Sequence, residues 1–464
     1  MGIGENMNSD SRKPGNQMNM LEGSMLDKIV LFALPLAASS VLQQLFNAAD
    51  LAVVGRFASA KAMAAVGSNA AVINLMISLF VGLSVGANAV IAMQIGSGHK
   101  EKIKETVHTV IAVSLIAGII LIITGVGLSA PILRLMGAPE DVMSLAVLYL
   151  RIYFFAMPAI MVYNYGSAIL RSKGDSKRPL YALILSGVIN IILNLIFVVI
   201  FHLHVIGVAT ATVISNLFGA GLIVYYLMTE EETFRLDLKK LTINRKSLEK
   251  MMRIGIPAGL QGAVFSISNV VIQSAVNSFG ADAIAGSTAS ANFDFISYCV
   301  ISAFAQAGVT FTSQNFSARK FDRCKAVFRI CMLCGLLTSA AVVFLFVTFR
   351  HTLILIFTTD PEVIEFALKR VMSAFFLHYL IASYEISGGC LRGMNHSLLP
   401  ALISIIGTCV FRLGYVFFYV SRVHTFEALF HVYPISWVIT GVITLTAYFI
   451  VRKKEFTRIS QVNP

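Results

Sequence analysis

The chain has 464 residues, of which 57% are hydrophobic and only 13% carry a charged side chain. Soluble domains average about 25% charged residues, so this composition excludes an ordinary water-soluble globule as well as a disordered or fibrous chain. In a soluble protein the formal net charge of +12 would favour nucleic acid as a partner. We interpret it here as an excess of Lys and Arg in cytoplasmic loops, and we expect a lipid bilayer and no nucleic acid.

Twelve long apolar runs dominate the chain. Each is continuous and at least about 20 residues long, the length that a helix needs to cross a bilayer, and none alternates like the strands of an outer-membrane barrel. The runs cover 29–54, 70–96, 107–128, 142–170, 180–201, 205–228, 254–279, 285–316, 325–349, 363–391, 399–421 and 429–451. We expect a cytoplasmic tail (1–27), an N-lobe of helices 1–6 (28–228), a cytoplasmic linker (229–250), a C-lobe of helices 7–12 (251–451) and a second cytoplasmic tail (452–464).

The loops between these runs differ in charge from one side to the other. With the amino terminus inside, the inner loops and tails hold 26 Lys and Arg residues, whereas the outer loops hold 5. Cytoplasmic loops carry the excess of positive residues. The sequence therefore predicts that both termini lie in the cytoplasm.

The two halves of the chain contain similar segments at a nearly constant spacing. LRSKGDSKRP at 170–179 matches LRGMNHSLLP at 391–400, 221 residues later. Three further pairs have nearly the same offset: Pro35 and Pro257, Gln94 and Gln314, and Pro139 and Pro361. Because each copy contains six helices, the copies share one orientation, as in parallel-repeat transporters. The sequence predicts an all-α polytopic membrane protein with twelve transmembrane helices in two parallel six-helix repeats around a central cavity.

Three acidic residues lie well inside the predicted spans, namely Asp50, Asp294 and Glu385. A charged side chain at the bilayer centre costs about 2.5–3.5 kcal/mol or more, so it faces the protein interior and is a functional candidate. These three carboxylates are therefore the first candidates for an ion or substrate site.

In the N-lobe, two polar stripes are spaced as neighbours on one helix face. They are Gln43, Asn47 and Asp50 on helix 1, and Ser186, Asn190 and Asn194 on helix 5. If the stripes meet, a carboxylate among amide and hydroxyl oxygens suits Na⁺, and a carboxylate in poor solvent also suits a proton. The alternative is that the amides only hydrogen-bond the helices together.

The C-lobe spans carry more polar side chains. They are Gln261, Asn269, Gln273 and Asn277 on helix 7, Asp294, Gln306, Thr310 and Gln314 on helix 8, His378 and Glu385 on helix 10, and Arg412 on helix 11. Arg412 is the one cation expected near mid-span, and a buried acid is its best partner. We expect Glu385 to pair with it and so to stay ionised; without that pair Glu385 could carry a proton. His378 is either a hydrogen-bonded core residue or a proton relay.

Motifs of enzymatic chemistry are missing from the sequence. It has no Walker lysine loop and no HExxH, which argues against transport driven by its own ATP hydrolysis. Cys331 and Cys334 form a C-x-x-C inside an apolar run without a second pair, which does not fit a metal or redox centre. We expect no catalytic residues, no metal and no cofactor.

Motifs along most of the chain resemble one known family. They are FALPLAASSVLQQLFNAADLAVVGR in helix 1, AVGSNA entering helix 2, LRSKGDSKRPLYA after helix 4, NIILNLIF in helix 5, RIGIPAGLQ in helix 7, EISGGCLRGMNHSLLP in helix 10, and YPISW at 433–437. On these motifs, residues 21–450 resemble the multidrug and toxic compound extrusion (MATE) family. The resemblance implies a monomeric antiporter of the bacterial inner (cytoplasmic) membrane. It would export organic cations or amphipathic drugs in exchange for Na⁺ or H⁺.

The resemblance also implies a cation-coupling site in the N-lobe. Asp50 stands where the family has its helix 1 acid, and Asn190 matches the helix 5 asparagine. Asn194 stands where many members have aspartate, so the site here carries one charge less. Thr212, in ATATVIS on helix 6, resembles a further ligand position.

In the C-lobe the chain departs from one branch of the family. That branch has a glutamate where Phe265 stands and an aspartate near Ile381, whereas Asp294 and Glu385 resemble the acids of another bacterial branch. The resemblance therefore leaves open which lobe couples to the ion. Gln261, Asp294, Glu385 and Arg412 are the C-lobe candidates for substrate or ion binding.

The nearest rival function is a flippase for lipid-linked oligosaccharides in the same superfamily. An anionic pyrophosphate lipid would require several arginines or lysines in the cavity, and we expect only Arg412 to lie deep. A membrane enzyme would need clustered acids or histidines at one interface, and a scaffold would need no buried carboxylates. We therefore favour the antiporter.

Overall fold

The computed structural model describes residues 18–58, 60–135 and 140–462, so Pro139 and the outer parts of both predicted tails lie outside the described residues. Within those ranges the regular structure consists of helices, without a strand. In lipid every backbone N–H and C=O must be paired, and a single continuous segment can pair its own groups only as a helix, which is why long runs of Leu, Ile, Val, Ala and Phe fold as helices.

In the described part of the N-terminal half there are seven α-helices. They are α1 (Leu26–Phe57), α2 (Ala60–Gly96), α3 (Lys100–Leu135), α4 (Glu140–Phe154), α5 (Met157–Ser172), α6 (Lys177–Asn194) and α7 (His204–Met228). A π-helical turn, Leu195–Ile200, extends α6. A short 3₁₀ turn, Leu238–Lys240, lies between the two halves.

Up to Val462, the last residue that the structure describes, the C-terminal half contains nine α-helices. They are α8 (Arg245–Asn277), α9 (Ala281–Ser317), α10 (Phe321–Thr348), α11 (Arg350–Ile354), α12 (Pro361–Ser373), α13 (Ile381–Gly393), α14 (Leu398–Ser404), α15 (Phe411–Tyr415) and α16 (Phe426–Val462). A 3₁₀ turn, Phe375–Leu380, joins α12 to α13. π-helical turns follow α14 and α15, at Ile405–Val410 and Val416–Val420.

The twelve predicted spans correspond to these helices. Ten described helices are long and apolar enough to cross a membrane, and α4 with α5, bent by 48°, makes an eleventh. The segment from α12 to α13 corresponds to the predicted tenth span, broken by its 3₁₀ turn. The all-α architecture with two six-helix repeats is confirmed. Several helices run past the predicted limits: α1 begins at Leu26 inside the predicted tail, α8 begins at Arg245 inside the predicted linker, and α16 continues to Val462.

The two lobes touch backbone to backbone along α2 and α8. A Cβ atom placed on Gly82 would lie 2.2 Å from the Cα atom of Gly259, and one on Gly86 would lie 2.3 Å from the carbonyl oxygen of Met251. Small residues permit such close approach of membrane helices. Asn88 on α2 donates to Thr310 Oγ1 on α9 at 3.0 Å, which adds a polar contact between the lobes.

A segment before α1, Met18–Met25, closes the same end of the cleft. Arg323 donates to the carbonyl oxygens of Met20 and Gly23, each at 3.1 Å. On the other side, a Cβ on Gly174 would lie 2.8 Å from the Cβ of Met18. Since Gly174 belongs to the N-lobe and Arg323 to the C-lobe, this segment bridges the lobes at the end where α1 begins and α16 ends.

A buried ion-pair cluster ties the loop after α5 to the chain that follows α7. Lys173 and Arg178 both bind Glu230, and Arg178 also binds Asp175. The side chains of Lys173 and Glu230 are each only 5% exposed. Burial lowers the pKa of Lys173 from its usual value, and the hydrogen bond to Glu230 opposes that shift. The cluster fixes this end of the N-lobe.

Candidate functional site

A cavity of about 840 Å³ lies between the two lobes. It is lined by parts of α1, α2, α5 and α6 from one lobe and by α8, α9, α12, α13, α15 and α16 from the other. Ligand cavities for drug-sized molecules have volumes of about 300–1,000 Å³. The contacts of α2 with α8 close the cleft at the end where α1 begins, and the cavity extends from there toward the opposite end, where Val276, Ser287 and Arg370 line it.

Asp50 lies beside the two asparagines of α6, so the polar stripes of helix 1 and helix 5 meet. Asn194 Nδ2 donates to Asp50 Oδ1 at 2.5 Å and lies 3.2 Å from Asn190 Oδ1. Asn194 is fully buried, Asn190 is buried and Asp50 is half-buried. Among the described contacts, no ion pair joins Asp50 to a cation. The carboxylate is held by an amide alone.

One oxygen in this group lacks a partner. The Oδ1 atom of Asn194 is buried without a hydrogen bond among the described residues. A buried acceptor without a donor costs free energy, and the shortage is relieved by a cation or by a proton on a neighbouring carboxylate. The arrangement can therefore bind Na⁺ through oxygens or hold a proton on Asp50.

Thr212 stays apart from this hydrogen-bonded group. It is buried on α7, where its hydroxyl donates to the carbonyl oxygen of Val208 one turn earlier at 2.9 Å. Gln43 lines the central cavity, Asn47 is exposed, and Ser186 donates to the carbonyl oxygen of Ser215 on α7. Of the two predicted stripes, only Asp50, Asn190 and Asn194 form a joint cluster.

In the C-lobe, Asp294 is paired with an arginine that the sequence analysis did not single out. Arg370 on α12 donates to Asp294 Oδ2 at 2.5 Å and to Ser287 Oγ at 2.7 Å. The side chains of Arg370 and Asp294 are 12% and 26% exposed, and both line the cavity. Asp294 therefore keeps a permanent counter-charge that Asp50 lacks.

The expected pairing of Arg412 with Glu385 is wrong. Arg412 Nε donates to Ser436 Oγ at 2.9 Å, and its guanidinium lies 4.3 Å from the centroid of the Tyr433 ring. Both partners belong to α16. A π-helical turn precedes Arg412, and such a turn shifts the following side chains away from their α-helical positions. Glu385 instead interacts electrostatically with Arg392, and both line the cavity.

The expectation of a single deep arginine is also wrong. Besides Arg412, the described cavity wall includes Arg171, Arg370 and Arg392. Arg171 and Arg392 stand directly after the predicted runs 142–170 and 363–391 and were therefore counted among the positive residues of the inner loops. The cavity nevertheless reaches these helix ends. A usable signal was present, since the two arginines occupy the same position of the repeated LRSKGDSKRP and LRGMNHSLLP segments.

Three further candidates have structural partners. Gln261 Oε1 accepts from Arg392 at 2.8 Å, and His378, almost fully buried, lies 3.0 Å from Ser297 Oγ. Gln314 donates to the carbonyl oxygen of Ser172 at 2.7 Å and so joins the lobes. Phe265 and Ile381, the positions where one branch carries acids, line the cavity as apolar residues. No group of three or more potential metal-ligating side chains occurs in the described ranges.

Two six-helix repeats that enclose a cavity with buried charges define a polytopic membrane protein with the architecture of a transporter. The model of the MatE family matches residues 35–196 and 257–418, two segments that begin 222 residues apart. The chain therefore belongs to the MatE family, and the predicted repeat and resemblance are confirmed.

Individual relatives match most of the chain. The probable multidrug resistance protein YoeA of Bacillus subtilis is 29% identical over 97% of this chain and 99% of its own length. The probable multidrug resistance protein NorM of Thermotoga maritima is 27% identical over 84% of each chain. A crystal structure of MATE in the bent conformation aligns with a TM-score of 0.89 and 22% identity, over 96% of this chain and 99% of that one. At this identity the likeness concerns the fold.

Proposed function

We propose that this protein is a secondary antiporter that exports drug-like amphipathic compounds through the central cavity in exchange for Na⁺ or H⁺ bound at Asp50. The substrate class is suggested by relatives named as multidrug resistance proteins and by a cavity that is large enough for a drug-sized molecule. The observation that carries the ion site is the unpartnered Asn194 oxygen beside the Asp50 carboxylate.

Either ion would satisfy this group chemically. Na⁺ prefers hard oxygen ligands, and Asp50, Asn190 and Asn194 offer carboxylate and amide oxygens within one cluster. A proton on the free oxygen of Asp50 would turn the carboxylate into a donor for Asn194 Oδ1. In both cases the bound cation neutralises Asp50 without breaking an ion pair, since the cluster contains no arginine or lysine among the described contacts.

Helix α1 connects the ion site to the cavity. Leu36, Ser39 and Gln43 line the cavity, and Asp50 lies about two turns beyond Gln43 on the same helix. Pro35 lies inside α1 and removes a backbone hydrogen bond where the helix can bend. Neutralising Asp50 would change its contact with Asn194 and shift α1 against α6, which would lower the affinity for substrate in the cavity.

The closed end of the cleft fits one state of an alternating-access cycle. With both termini in the cytoplasm, as the loop charges predict, the glycine contacts of α2 and α8 would seal the cytoplasmic side. The cavity would then face the outside. The opposite state requires separation of Gly82 from Gly259 and release of the Met18–Met25 segment.

Reconstituted full-length protein tests this proposal. Proteoliposomes receive an imposed Na⁺ gradient or an imposed pH gradient separately, and the transport of amphipathic dyes of either charge is followed by fluorescence. One of the two gradients should drive dye movement. Asp50→Asn should lower gradient-driven transport by about 100-fold or more, as expected when an essential ion site is removed.

The matched control is Asp322→Asn, the same substitution at a side chain that is 95% exposed. It should transport at the wild-type rate. Transport by Asp50→Asn at the wild-type rate would exclude ion exchange at this site. So would the finding that neither gradient moves any of the dyes.

A further inference from the structure

The central cavity carries more positive than negative charge. Among the described residues that line it, four are arginines, whereas the only carboxylates are Asp294 and Glu385. Arg370 binds Asp294, and Glu385 offsets Arg392 at longer range. Two guanidinium groups, those of Arg171 and Arg412, remain without a carboxylate. Unbalanced charge at membrane depth is costly and is typical of a binding site.

Two of these arginines are equivalent in the repeat. Arg171 ends α5 in the N-lobe and Arg392 ends α13 in the C-lobe, 221 residues later. Both helix ends pack against the same part of α9. The carbonyl oxygen of Ser172 accepts from Gln314, and a Cβ on Gly393 would lie 2.8 Å from Thr312 Cβ. The floor of the cavity thus receives one arginine from each lobe.

Neither guanidinium is fully satisfied. Arg392 is only 9% exposed and donates to Gln261, but its Nε has no hydrogen-bond partner. The Nε of Arg171 is likewise buried without one. Because a planar guanidinium matches a carboxylate through two parallel hydrogen bonds, these free donors select an acidic group.

We propose that the cavity binds amphipathic compounds that carry an acidic group, such as a carboxylate, and that Arg171 and Arg392 hold this group at the floor. This substrate class rests on the proposed transport function and narrows it. The apolar part of the ligand would lie higher in the cavity, against aromatic residues such as Phe265, Phe430 and Trp437. The positive charges of the arginines would repel an organic cation.

Trp437 makes a direct binding assay possible, because it is the only tryptophan of the chain and it lines the cavity. Purified full-length protein in lipid-free detergent is titrated with two dansyl probes that differ only in a terminal carboxylate or trimethylammonium group. Energy transfer from Trp437 to the dansyl group reports occupancy, and Trp437→Phe abolishes the signal. The carboxylate probe should bind about tenfold or more tightly than the ammonium probe, as one charge-assisted hydrogen bond predicts.

Arg171→Gln and Arg392→Gln should each weaken binding of the carboxylate probe about tenfold and leave the ammonium probe unchanged or improved. The matched control is Arg134→Gln, which removes an exposed last-turn arginine outside the cavity. Arg171→Lys and Arg392→Lys keep the charge and should retain part of the preference. If a glutamine variant fails to fold, the comparison of the two probes on the wild-type protein still tests the proposal.

Equal or tighter binding of the ammonium probe would overturn the proposal, as would unchanged carboxylate affinity in folded Arg171→Gln and Arg392→Gln. The assay imposes no ion gradient. A negative result here would therefore leave ion exchange at Asp50 untouched, and failure of gradient-driven transport would leave this binding preference untouched.

Discussion

The two lobes follow the same six-helix plan, yet they surround their buried acids with different chemistry. In the N-lobe, Asp50 has the amide of Asn194 as its hydrogen-bond partner. In the C-lobe, Asp294 is bound by Arg370, and Glu385 lies in the field of Arg392. A buried aspartate thus has a neutral partner in the N-lobe and a cation as its partner in the C-lobe.

This difference fits the two tasks that we propose for the buried charges. An acid held by amides can gain or lose a cation without leaving a buried charge behind, which suits ion exchange. An acid held by arginine is locked in its ionised form, because breaking a buried pair costs several kcal/mol. The contrast supports the proposal that Asp50 of the N-lobe exchanges the ion, while the arginines of the cavity wall bind substrate.

A second contrast concerns the closed ends of the lobes. In the N-lobe, Lys173 and Arg178 hold Glu230 in a buried cluster. In the C-lobe, His396 lies 3.2 Å from Glu455, which also binds Arg458. In both lobes a glutamate binds the loop that follows the equivalent helix; Glu230 lies just after α7 and Glu455 lies inside α16. Only in the N-lobe pair of Lys173 and Glu230 are both partners buried.

Glu230→Gln should have the largest effect on stability. It leaves Lys173 and Arg178 without their shared carboxylate, and removing one partner of a buried ion pair costs about 3–5 kcal/mol. Glu455→Gln should cost only about 1 kcal/mol, because a pair with exposed partners is weak; His396 and Arg458 are 37% and 66% exposed. Thermal unfolding in detergent measures both, with Glu232→Gln, 89% exposed, as the control. Equal losses of stability in Glu230→Gln and Glu455→Gln would contradict the difference between the buried and the exposed cluster.

Gly259→Ala should weaken the contact between the lobes without altering either lobe. A Cβ there would lie 2.4 Å from the carbonyl oxygen of Leu79, and such overpacking costs about 1–3 kcal/mol. Gly262→Ala is the matched control on the same helix, since its nearest neighbour would be the Ser78 Cβ at an ordinary 3.5 Å. The unfolding midpoint should fall for the first variant alone. An unchanged midpoint for Gly259→Ala would mean that the two lobes do not depend on this contact.

Asp294→Asn tests the contrast between the two buried acids with a smaller effect. It should lower the free energy of unfolding by about 1–2 kcal/mol, because Arg370 loses its carboxylate in a partly buried place. Asp50→Asn makes the same change where no cation is left unpaired, so its effect should be within about 0.5 kcal/mol. The double variant Asp294→Asn with Arg370→Gln should regain part of the loss. A larger loss of unfolding free energy for Asp50→Asn than for Asp294→Asn would contradict the conclusion that only the C-lobe aspartate is held by a cation.

Much of the fold could be predicted, and so could part of the site. The stripe of Asn190 and Asn194 repeats at four residues, which puts both side chains on one helix face, and Asp50 was the one acid available in that lobe's spans. The ion pair of Asp294 with Arg370 was not predictable, because 76 residues separate the partners and spacing within a helix says nothing about contacts between helices. Arg412 was misassigned because a π-helical turn precedes it.

By itself the sequence determined the twelve apolar helices, the repeat and the presence of buried carboxylates, since lipid demands paired backbones and makes buried charge costly. Only the tertiary structure decided how deep the cavity reaches. The packing of α5 and α13 against α9 exposes the helix ends at Arg171 and Arg392 to the cavity. Whether a residue at the end of an apolar run faces water or a binding site depends on its neighbours in space, and these neighbours come from distant parts of the chain.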